Sequence, residues 1–219
     1  MVIDMLNLPS QMKYQLETWG QYSEQIDDYT KKGLIREGDL ATREAQLLRL
    51  VDPYTYRSQL TLPKLLIHGT NDPYWCVDAA KLYWDDLSGP KYLHEVANAG
   101  HGLQGGQLQA LATLAVFFRH VATATPGPEV TWKHSDDGRD LVLQIRSSPS
   151  PKGVRLWVAR SPIKDFRKAK WTSEPLSGNE GTFSARVPKP QEGHVAFYGE
   201  VRFEYEGVPC SACTLVRRY

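Results

Sequence analysis

The chain has 219 residues, with 26 Lys and Arg against 25 Asp and Glu, which gives a formal net charge of +1. A chain so close to neutral has no overall field that would attract nucleic acid or an anionic membrane. Its hydrophobic content of 41% suits a packed core, and it holds no apolar run near the ~20 residues that a membrane span needs. We therefore predict a globular protein of one or two domains, with neither a nucleic-acid partner nor a membrane span.

The stretch from about residue 8 to residue 60 has helical periodicity. Met12, Leu16 and Trp19 recur at the spacing of one helix face, and Asp39 is a good N-cap for a second helix. Such a region serves either as ordinary helical packing or as a lid over a pocket, and both interpretations stay open.

Two short apolar runs, Leu62–His68 and Lys91–Val96, predict neighbouring strands of a parallel sheet. The first run stops at a turn that places Asp72 just beyond its end, and His101 follows the second run in the same way. In open α/β sheets, functional groups lie in the loops at the carboxyl ends of the strands. The sequence therefore predicts an acid and a histidine at the same edge of the sheet.

Asp72 and His101 are the residue types that a serine hydrolase needs beside its nucleophile. An imidazole removes the serine proton, while a carboxylate fixes the imidazole tautomer and stabilises the imidazolium. In α/β-hydrolases the chain order is Ser, then the acid, then His, and Asp72 and His101 keep that order. We predict that they are the acid and the base of a catalytic triad.

The serine of this triad is not found among the 219 residues. The nucleophile of an α/β-hydrolase sits in a G-x-S-x-G elbow upstream of the acid, and no such pentapeptide occurs here. Ser10 and Ser23 precede Asp72 without flanking glycines, and Ser58 follows an arginine. The sequence therefore predicts a nucleophile that lies outside this chain.

From about residue 130 the hydrophobic period changes to two, which is typical of strands. The inward-facing sets are Leu141, Leu143 and Ile145, then Val154, Leu156 and Val158, then Val201, Phe203 and Tyr205. Several short strands with Gly and Pro turns at this spacing suggest a small antiparallel sandwich. Trp132, Trp157 and Trp171 could form a carbohydrate or peptide platform, but we predict core positions for them because most aromatic residues of such domains are core.

Three segments stand out together: His68–Trp75, Tyr83–Leu87 and Asn98–His101. The segments Val2–Leu8, Trp19–Ser23 and Val51–Arg57 fit the same pattern. Together they resemble the PhoPQ-activated pathogenicity-related proteins, a branch of the α/β-hydrolase superfamily. The resemblance covers roughly residues 1–122 well and the remainder more loosely.

This resemblance implies an α/β fold class, with the carboxyl-terminal half of an α/β-hydrolase fold. The implied domains are a partial hydrolase domain over 1–123, a linker at 124–129 and an immunoglobulin- or fibronectin-like β-sandwich over 130–219. Within the first, a helical lid at about 8–60 precedes the acid and histidine units at 61–123, and Val2–Leu6 is a preceding strand. The missing half, or a second copy of the chain, is expected to cover the exposed sheet edge.

The resemblance suggests an exported or periplasmic protein, although Met1–Asp4 lacks the basic start and apolar stretch of a signal peptide. Localisation therefore stays open, as does the question of whether the natural product is longer.

Other candidate sites have simpler explanations. Gly100–Gly105 matches G-x-G-x-x-G, but no second parallel strand ends in an acid at the distance that ribose binding needs. Cys210 and Cys213 form a lone C-x-x-C pair, which leaves a zinc site incomplete. Asp78 is the rival for the triad acid, and a helix N-cap role explains it. We predict neither a cofactor nor a metal.

The sequence thus predicts part of a serine hydrolase for ester or peptide bonds, with a small-molecule or peptide substrate. On its own the chain is expected to be inactive. The alternative is a non-catalytic remnant or binding module that uses the β-sandwich and the lid surface.

Overall fold

The computed structural model describes residues 7–35 and 42–219. The described helices are α1 (Leu8–Trp19), α2 (Asp27–Lys31), α3 (Thr42–Val51) and α4 (Gln107–Ala122), with 3₁₀ turns at Glu24–Ile26, Pro53–Tyr56 and Ala79–Leu82. The first strands are β1 (Lys64–Gly69), β2 (Lys91–Val96), β3 (Glu129–Asp136), β4 (Asp140–Ser148), β5 (Gly153–Ser161) and β6 (Thr172–Leu176). The remaining strands are β7 (Gly178–Asn179), β8 (Thr182–Pro188), β9 (His194–Tyr205), β10 (Val208–Cys213) and β11 (Arg217–Arg218). Within the described ranges, no helix is long and apolar enough to cross a membrane.

The first helix has clear local signals. Pro9 stands in its first turn, where the missing N–H costs nothing. Gly20 ends it in the left-handed conformation (φ 73°), with its N–H bonded to the Leu16 carbonyl. The predicted strand at Val2–Leu6 and the predicted N-cap at Asp39 lie outside the described residues.

Strands β1 and β2 pair in parallel, as predicted, with Leu66 opposite Leu93. Side chains alternate across such a pair. Leu65 and Ile67 therefore face α4 and pack with Val96, while Leu66 and Leu93 face the opposite side. The pair ends with both carboxyl ends at one edge, and the loops after them carry the predicted acid and histidine.

The strands after residue 129 form two antiparallel sheets. One has the order β3-β4-β8-β7, and the other has the order β10-β9-β5-β6, with β11 also paired to β9. The facing sides of these sheets bury a core that includes Leu143, Leu156 and Phe197. This arrangement matches the period-two pattern of the sequence.

The fold-class prediction was wrong. Strands hold 35% and helices 25% of the residues, and most of the strand pairing is antiparallel. Only β1 and β2 are parallel among the described strands, so the chain is not the α/β-hydrolase fold with a helical lid that we expected. The β-rich region outweighs the parallel pair because it supplies both larger sheets, of five and four strands.

The region predicted as a lid also packs differently from a lid. The side-chain amide of Gln15 in α1 donates to the Tyr74 carbonyl (2.7 Å), and the Ser23 hydroxyl donates to the Pro73 carbonyl (2.7 Å). Both Gln15 and Ser23 are almost fully buried. These contacts hold α1 and the turn after it against the loop that follows β1.

A second core, which we call the shared core, joins the parallel pair to the antiparallel sheets. Leu66 and Leu93 pack with Trp171 and Tyr198, all of them at most 2% exposed. Strand β10 lies along the outer edge of β2, where the Glu95 N–H donates to the Cys213 thiol sulfur (3.4 Å). The predicted linker at 124–129 therefore separates two stretches of sequence that share one packed interior.

Candidate active site

The loop after β1 fixes the orientation of Asp72. Its carboxylate accepts the backbone N–H of Tyr74 at Oδ1 (2.7 Å), a local turn that Asp favours. The loop also lies against the loop after β2, because the Asn71 N–H donates to the Ala99 carbonyl (2.9 Å). Gly69 permits this approach, since a Cβ there would collide with two carbonyl oxygens of the neighbouring loop.

His101 meets Asp72 across these two loops. Nδ1 of His101 lies 2.8 Å from Oδ2 of Asp72, at the distance of a charge-assisted hydrogen bond. The Asp72 side chain is 15% exposed and that of His101 is 39% exposed, so the imidazole is reachable from solvent. The ring of Tyr74 packs on the imidazole with the centroids 4.2 Å apart. The structure thus brings together the two residues that the sequence singled out.

This geometry dictates the tautomer of the imidazole. A carboxylate at Nδ1 favours the proton on that nitrogen, which leaves the Nε2 lone pair free to act as a base. Within the described part of the chain, no serine hydroxyl hydrogen-bonds to His101. The structure therefore presents a partly exposed imidazole whose Nδ1 lies against a carboxylate and whose Nε2 has no hydrogen-bond partner among the described residues.

Asp78, the rival acid, has Tyr14, Lys81 and Arg218 as partners rather than His101. It is 2% exposed and accepts hydrogen bonds from the Tyr14 hydroxyl (2.6 Å) and the Lys81 ammonium (2.7 Å). Arg218 also pairs with it, at 3.4 Å. Burial and the Asp78 charge raise the pKa of Tyr14. Asp78 stands at the N-cap position of the 3₁₀ turn at Ala79–Leu82 but makes no side-chain cap there.

The described serine with the closest tie to the Asp72 loop is not a free nucleophile. The Ser23 hydroxyl donates to the Pro73 carbonyl and accepts the Gln25 N–H, and the residue is 1% exposed. It caps the 3₁₀ turn at Glu24–Ile26. The role of Ser23 as an anchor for the acid loop has no signal in the sequence, because its partner lies 50 residues away.

The three cysteines are free thiols. Cys210 and Cys213 point to opposite faces of β10, since an odd separation in a strand alternates the side. Cys76 is buried, and burial raises the pKa of its thiol to about 12. Within the described ranges, no group of three or more His, Cys, Asp and Glu side chains could hold a metal ion.

The tryptophans expected in the core divide by exposure. Trp171 is 2% exposed in the shared core, whereas Trp132 and Trp157 are partly buried against it. The Trp157 indole N–H donates to the carboxylate of Glu200 (2.9 Å), which is itself buried.

The chain matches known proteins in sequence. The PhoPQ-activated pathogenicity-related protein model matches residues 1–167, so the chain belongs to this family. Autocrine proliferation repressor protein A of Dictyostelium discoideum is 27% identical over 227 residues, which cover 93% of this chain and 46% of that protein. The chain therefore spans less than half the length of this relative.

Similarity to solved structures is weak. A bromine derivative of BhCBM56 matches 43% of this chain and 94% of its own, at 11% identity and a TM-score of 0.31. The β-1,3-glucan-binding domain of carbohydrate-binding module family 56 matches 42% and 98%, at 14% identity and a TM-score of 0.29. Chitinase ChiW of Paenibacillus sp. str. FPU-7 matches 70% and 13%, at 12% identity and a TM-score of 0.27. Scores of this size support no inference about function.

Proposed function

We propose that the chain is the carboxyl-terminal portion of a serine hydrolase and supplies its acid, Asp72, and its base, His101. The observation that carries the proposal is the 2.8 Å contact between Nδ1 of His101 and Oδ2 of Asp72. The two side chains come from consecutive loops at one edge of a parallel strand pair. That contact leaves Nε2 of a partly exposed imidazole available to a nucleophile.

The nucleophile comes from sequence outside this chain. A longer natural protein is supported by the relative of which the chain covers only 46%. In that protein a serine hydroxyl would lie beside Nε2 of His101 and complete the order Ser, Asp, His.

The hydrolysis then proceeds in two halves. His101 Nε2 takes the serine proton as the serine oxygen bonds to the carbonyl carbon of an ester or peptide. The imidazolium, stabilised by Asp72, returns that proton to the leaving alcohol or amine as its bond to carbon breaks. In the second half, His101 takes a proton from water as the water oxygen bonds to the acyl carbon, and it returns that proton to the serine oxygen as the acyl–serine bond breaks and the carboxylic acid leaves.

A matched pair of aspartate variants tests the proposal in the longer protein, which includes the upstream coding sequence. With p-nitrophenyl butyrate as the probe, we expect Asp72→Asn to lower kcat on the order of 10³- to 10⁴-fold, because the imidazole loses its imposed tautomer. Asp85→Asn is the control, since Asp85 is exposed and makes no hydrogen bond within the described residues. Its kcat should equal that of the natural sequence.

Two results would contradict the proposal. Ester turnover that survives Asp72→Asn and His101→Ala unchanged would favour the non-catalytic alternative. Turnover by the 219-residue chain alone that disappears in His101→Ala would place the nucleophile inside this chain.

A further inference from the structure

The loop between β5 and β6, residues 162–171, touches both of the loops that carry the candidate site. It belongs to the antiparallel region yet reaches the edge where Asp72 and His101 meet. Two asparagine side chains make the contacts, and each is a near neighbour of a site residue in sequence. We call residues 162–171 the clamp loop.

Asn71, the residue before Asp72, holds one part of the clamp loop. Its Nδ2 donates to the carbonyl of Ala169 (2.7 Å), with further carbonyls of Arg167 at 3.1 Å and Phe166 at 3.4 Å. The two N–H donors of one amide group therefore serve the carbonyls of a turn, with the two shortest contacts at Ala169 and Arg167. The backbone of the acid loop is fixed to the antiparallel region one residue away from the triad acid.

Asn98, three residues before His101, holds the end of the clamp loop. Its Oδ1 accepts the N–H of Trp171 (2.7 Å) and its Nδ2 donates to the Trp171 carbonyl (3.0 Å). This two-way pairing resembles one rung of a strand ladder. Asn98 has a φ of 60°, a left-handed conformation that Asn tolerates better than most residues.

Thr70 connects the two asparagines. Its hydroxyl accepts the Asn98 N–H (2.9 Å) and donates to Oδ1 of Asn71 (2.8 Å). With its oxygen occupied in this way, the Asn71 amide must present its nitrogen to the clamp loop. The three residues are thus linked across the acid and histidine loops, with Asn98 bonded to Thr70 through its backbone N–H and to Trp171 through its side chain.

The clamp loop, which accepts these hydrogen bonds, is itself held in place by buried side chains and an ion pair. Phe166 and Trp171 are each 2% exposed in the shared core. Arg167 forms a two-pronged ion pair with Asp165, with contacts of 2.6–3.0 Å. Its guanidinium also lies 4.1 Å above the ring centroid of Trp19 in α1.

We propose that Asn71 and Asn98 are positioning residues, through which the clamp loop sets the Asp72–His101 hydrogen bond. The inference rests on the proposed function and deepens it, because it makes the antiparallel region part of the catalytic geometry. Neither side chain touches His101, so their effect passes through the backbone of the two loops.

The experiment observes the imidazole rather than turnover. The full 219-residue chain is labelled with ¹⁵N at histidine, and the ring nitrogens of His101 are measured at about pH 8.5, where an imidazole is ordinarily neutral. The natural sequence should show the Nδ1–H tautomer alone, because Asp72 accepts that proton. Asn71→Ala should give a mixture of the two tautomers and faster exchange of the ring proton with water.

Asn98→Gly removes the side-chain bonds to Trp171 without adding backbone strain, because glycine adopts the left-handed conformation freely. It should produce the same tautomer mixture while keeping the turn. Asn98→Asp keeps the acceptor for the Trp171 N–H but sets a carboxylate oxygen opposite the Trp171 carbonyl, so it should also give a mixture of tautomers. Asn179→Ala is the matched control, since Asn179 is exposed on β7 and away from both loops.

The outcomes separate this inference from the proposed function. A single Nδ1–H tautomer in both Asn71→Ala and Asn98→Gly, with the fold intact by far-UV circular dichroism, would overturn the positioning role of the two asparagines. A pure Nδ1–H tautomer in the natural sequence that becomes mixed in both variants would support it, even if the longer protein hydrolysed no ester. If Asn71→Ala does not fold, Asn98→Gly and Asn98→Asp carry the test.

Discussion

The parallel pair and the antiparallel sheets cover their apolar faces in different ways. The β3-β4-β8-β7 sheet and the sheet built on β9 enclose a core of their own, with Leu143 and Phe197 fully buried. The parallel pair has only two strands and relies on α4 for one face and on Trp171 and Tyr198 for the other. A sheet this small is not stable by itself, so the loops that carry the candidate site depend on the antiparallel region.

The same comparison holds at the edges of the sheets. The outer edge of β2 is lined by β10, with the Cys213 sulfur accepting the Glu95 N–H. Behind that edge His94 bonds to the Ser211 hydroxyl at 2.9 Å, and the Ser211 N–H donates to the Thr113 hydroxyl of α4 at 3.3 Å. Hydrogen bonds of side chains therefore connect β2 to β10, whereas backbone hydrogen bonds connect the strands of the antiparallel sheets.

Removal of Trp171 is the largest expected perturbation of this dependence. Trp171→Ala should lower the free energy of unfolding by about 3–5 kcal/mol, because it opens a cavity in the core shared by the two regions. Urea titration followed by circular dichroism measures the change. Phe118→Ala is the control, since Phe118 is 69% exposed on α4 and its loss should cost under about 0.5 kcal/mol. Equal effects from both variants would contradict a shared core.

Acid should lower the stability of the junction between β2 and β10, where His94 is buried. Burial lowers the pKa of this imidazole from 6.5 to about 4. Between about pH 6.5 and pH 4 the unfolded chain therefore binds a proton at His94 that the folded chain does not bind. The contribution of this group to the free energy of unfolding is complete above about pH 6.5 and is lost as the pH falls towards 4. The loss amounts to about 3 kcal/mol by pH 4.

His94→Gln tests this pH dependence, because an amide does not titrate. The difference in unfolding free energy between about pH 7 and pH 4.5 should shrink in the variant relative to the natural sequence. His134, whose pKa burial also lowers to about 4, contributes in the same direction and remains in the variant. An unchanged difference in His94→Gln would show that the junction is not the acid-sensitive part.

The close approach of the two site loops predicts a smaller effect. Gly69→Ala should cost about 1–3 kcal/mol, because the new Cβ pushes against the carbonyl oxygens of Ala99 and Gly100. The variant should also weaken the Asp72–His101 contact, since the collision separates the loops. Gly153→Ala is the control, as nothing lies within 4 Å of a Cβ there. Melting temperatures that match in the two variants would contradict the close approach.

Local sequence patterns predicted the elements that position the site. The strand at Lys91–Val96 has the predicted bounds, and the apolar spacing from Gln107 to Val121, which is typical of an amphipathic helix, belongs to α4. Asp72 and His101 meet because parallel strands place their following loops at one edge. Such signals lie within a few residues of each other, which is why a sequence reveals them.

Long-range packing accounts for what the sequence did not predict. The stretch from Val77 to Leu87 reads as a helix in the sequence, but the structure has only a single 3₁₀ turn there, because Tyr83 and Trp84 both turn inward to the shared core. His94, which belongs to no partner pattern in the sequence and would be placed at the surface, is fully buried because β10 covers its strand. The partners of Asn71 lie 95 to 98 residues away, so no local pattern indicates the contact.

The activation of a serine by Asp72 and His101 can be observed in the longer protein by labelling it with a fluorophosphonate probe, followed by mass spectrometry of the modified peptide. We expect one labelled serine upstream of this chain, with labelling lost in His101→Ala and kept in His194→Ala. A labelled serine whose modification is indifferent to His101, or no labelling of a folded protein, would contradict it.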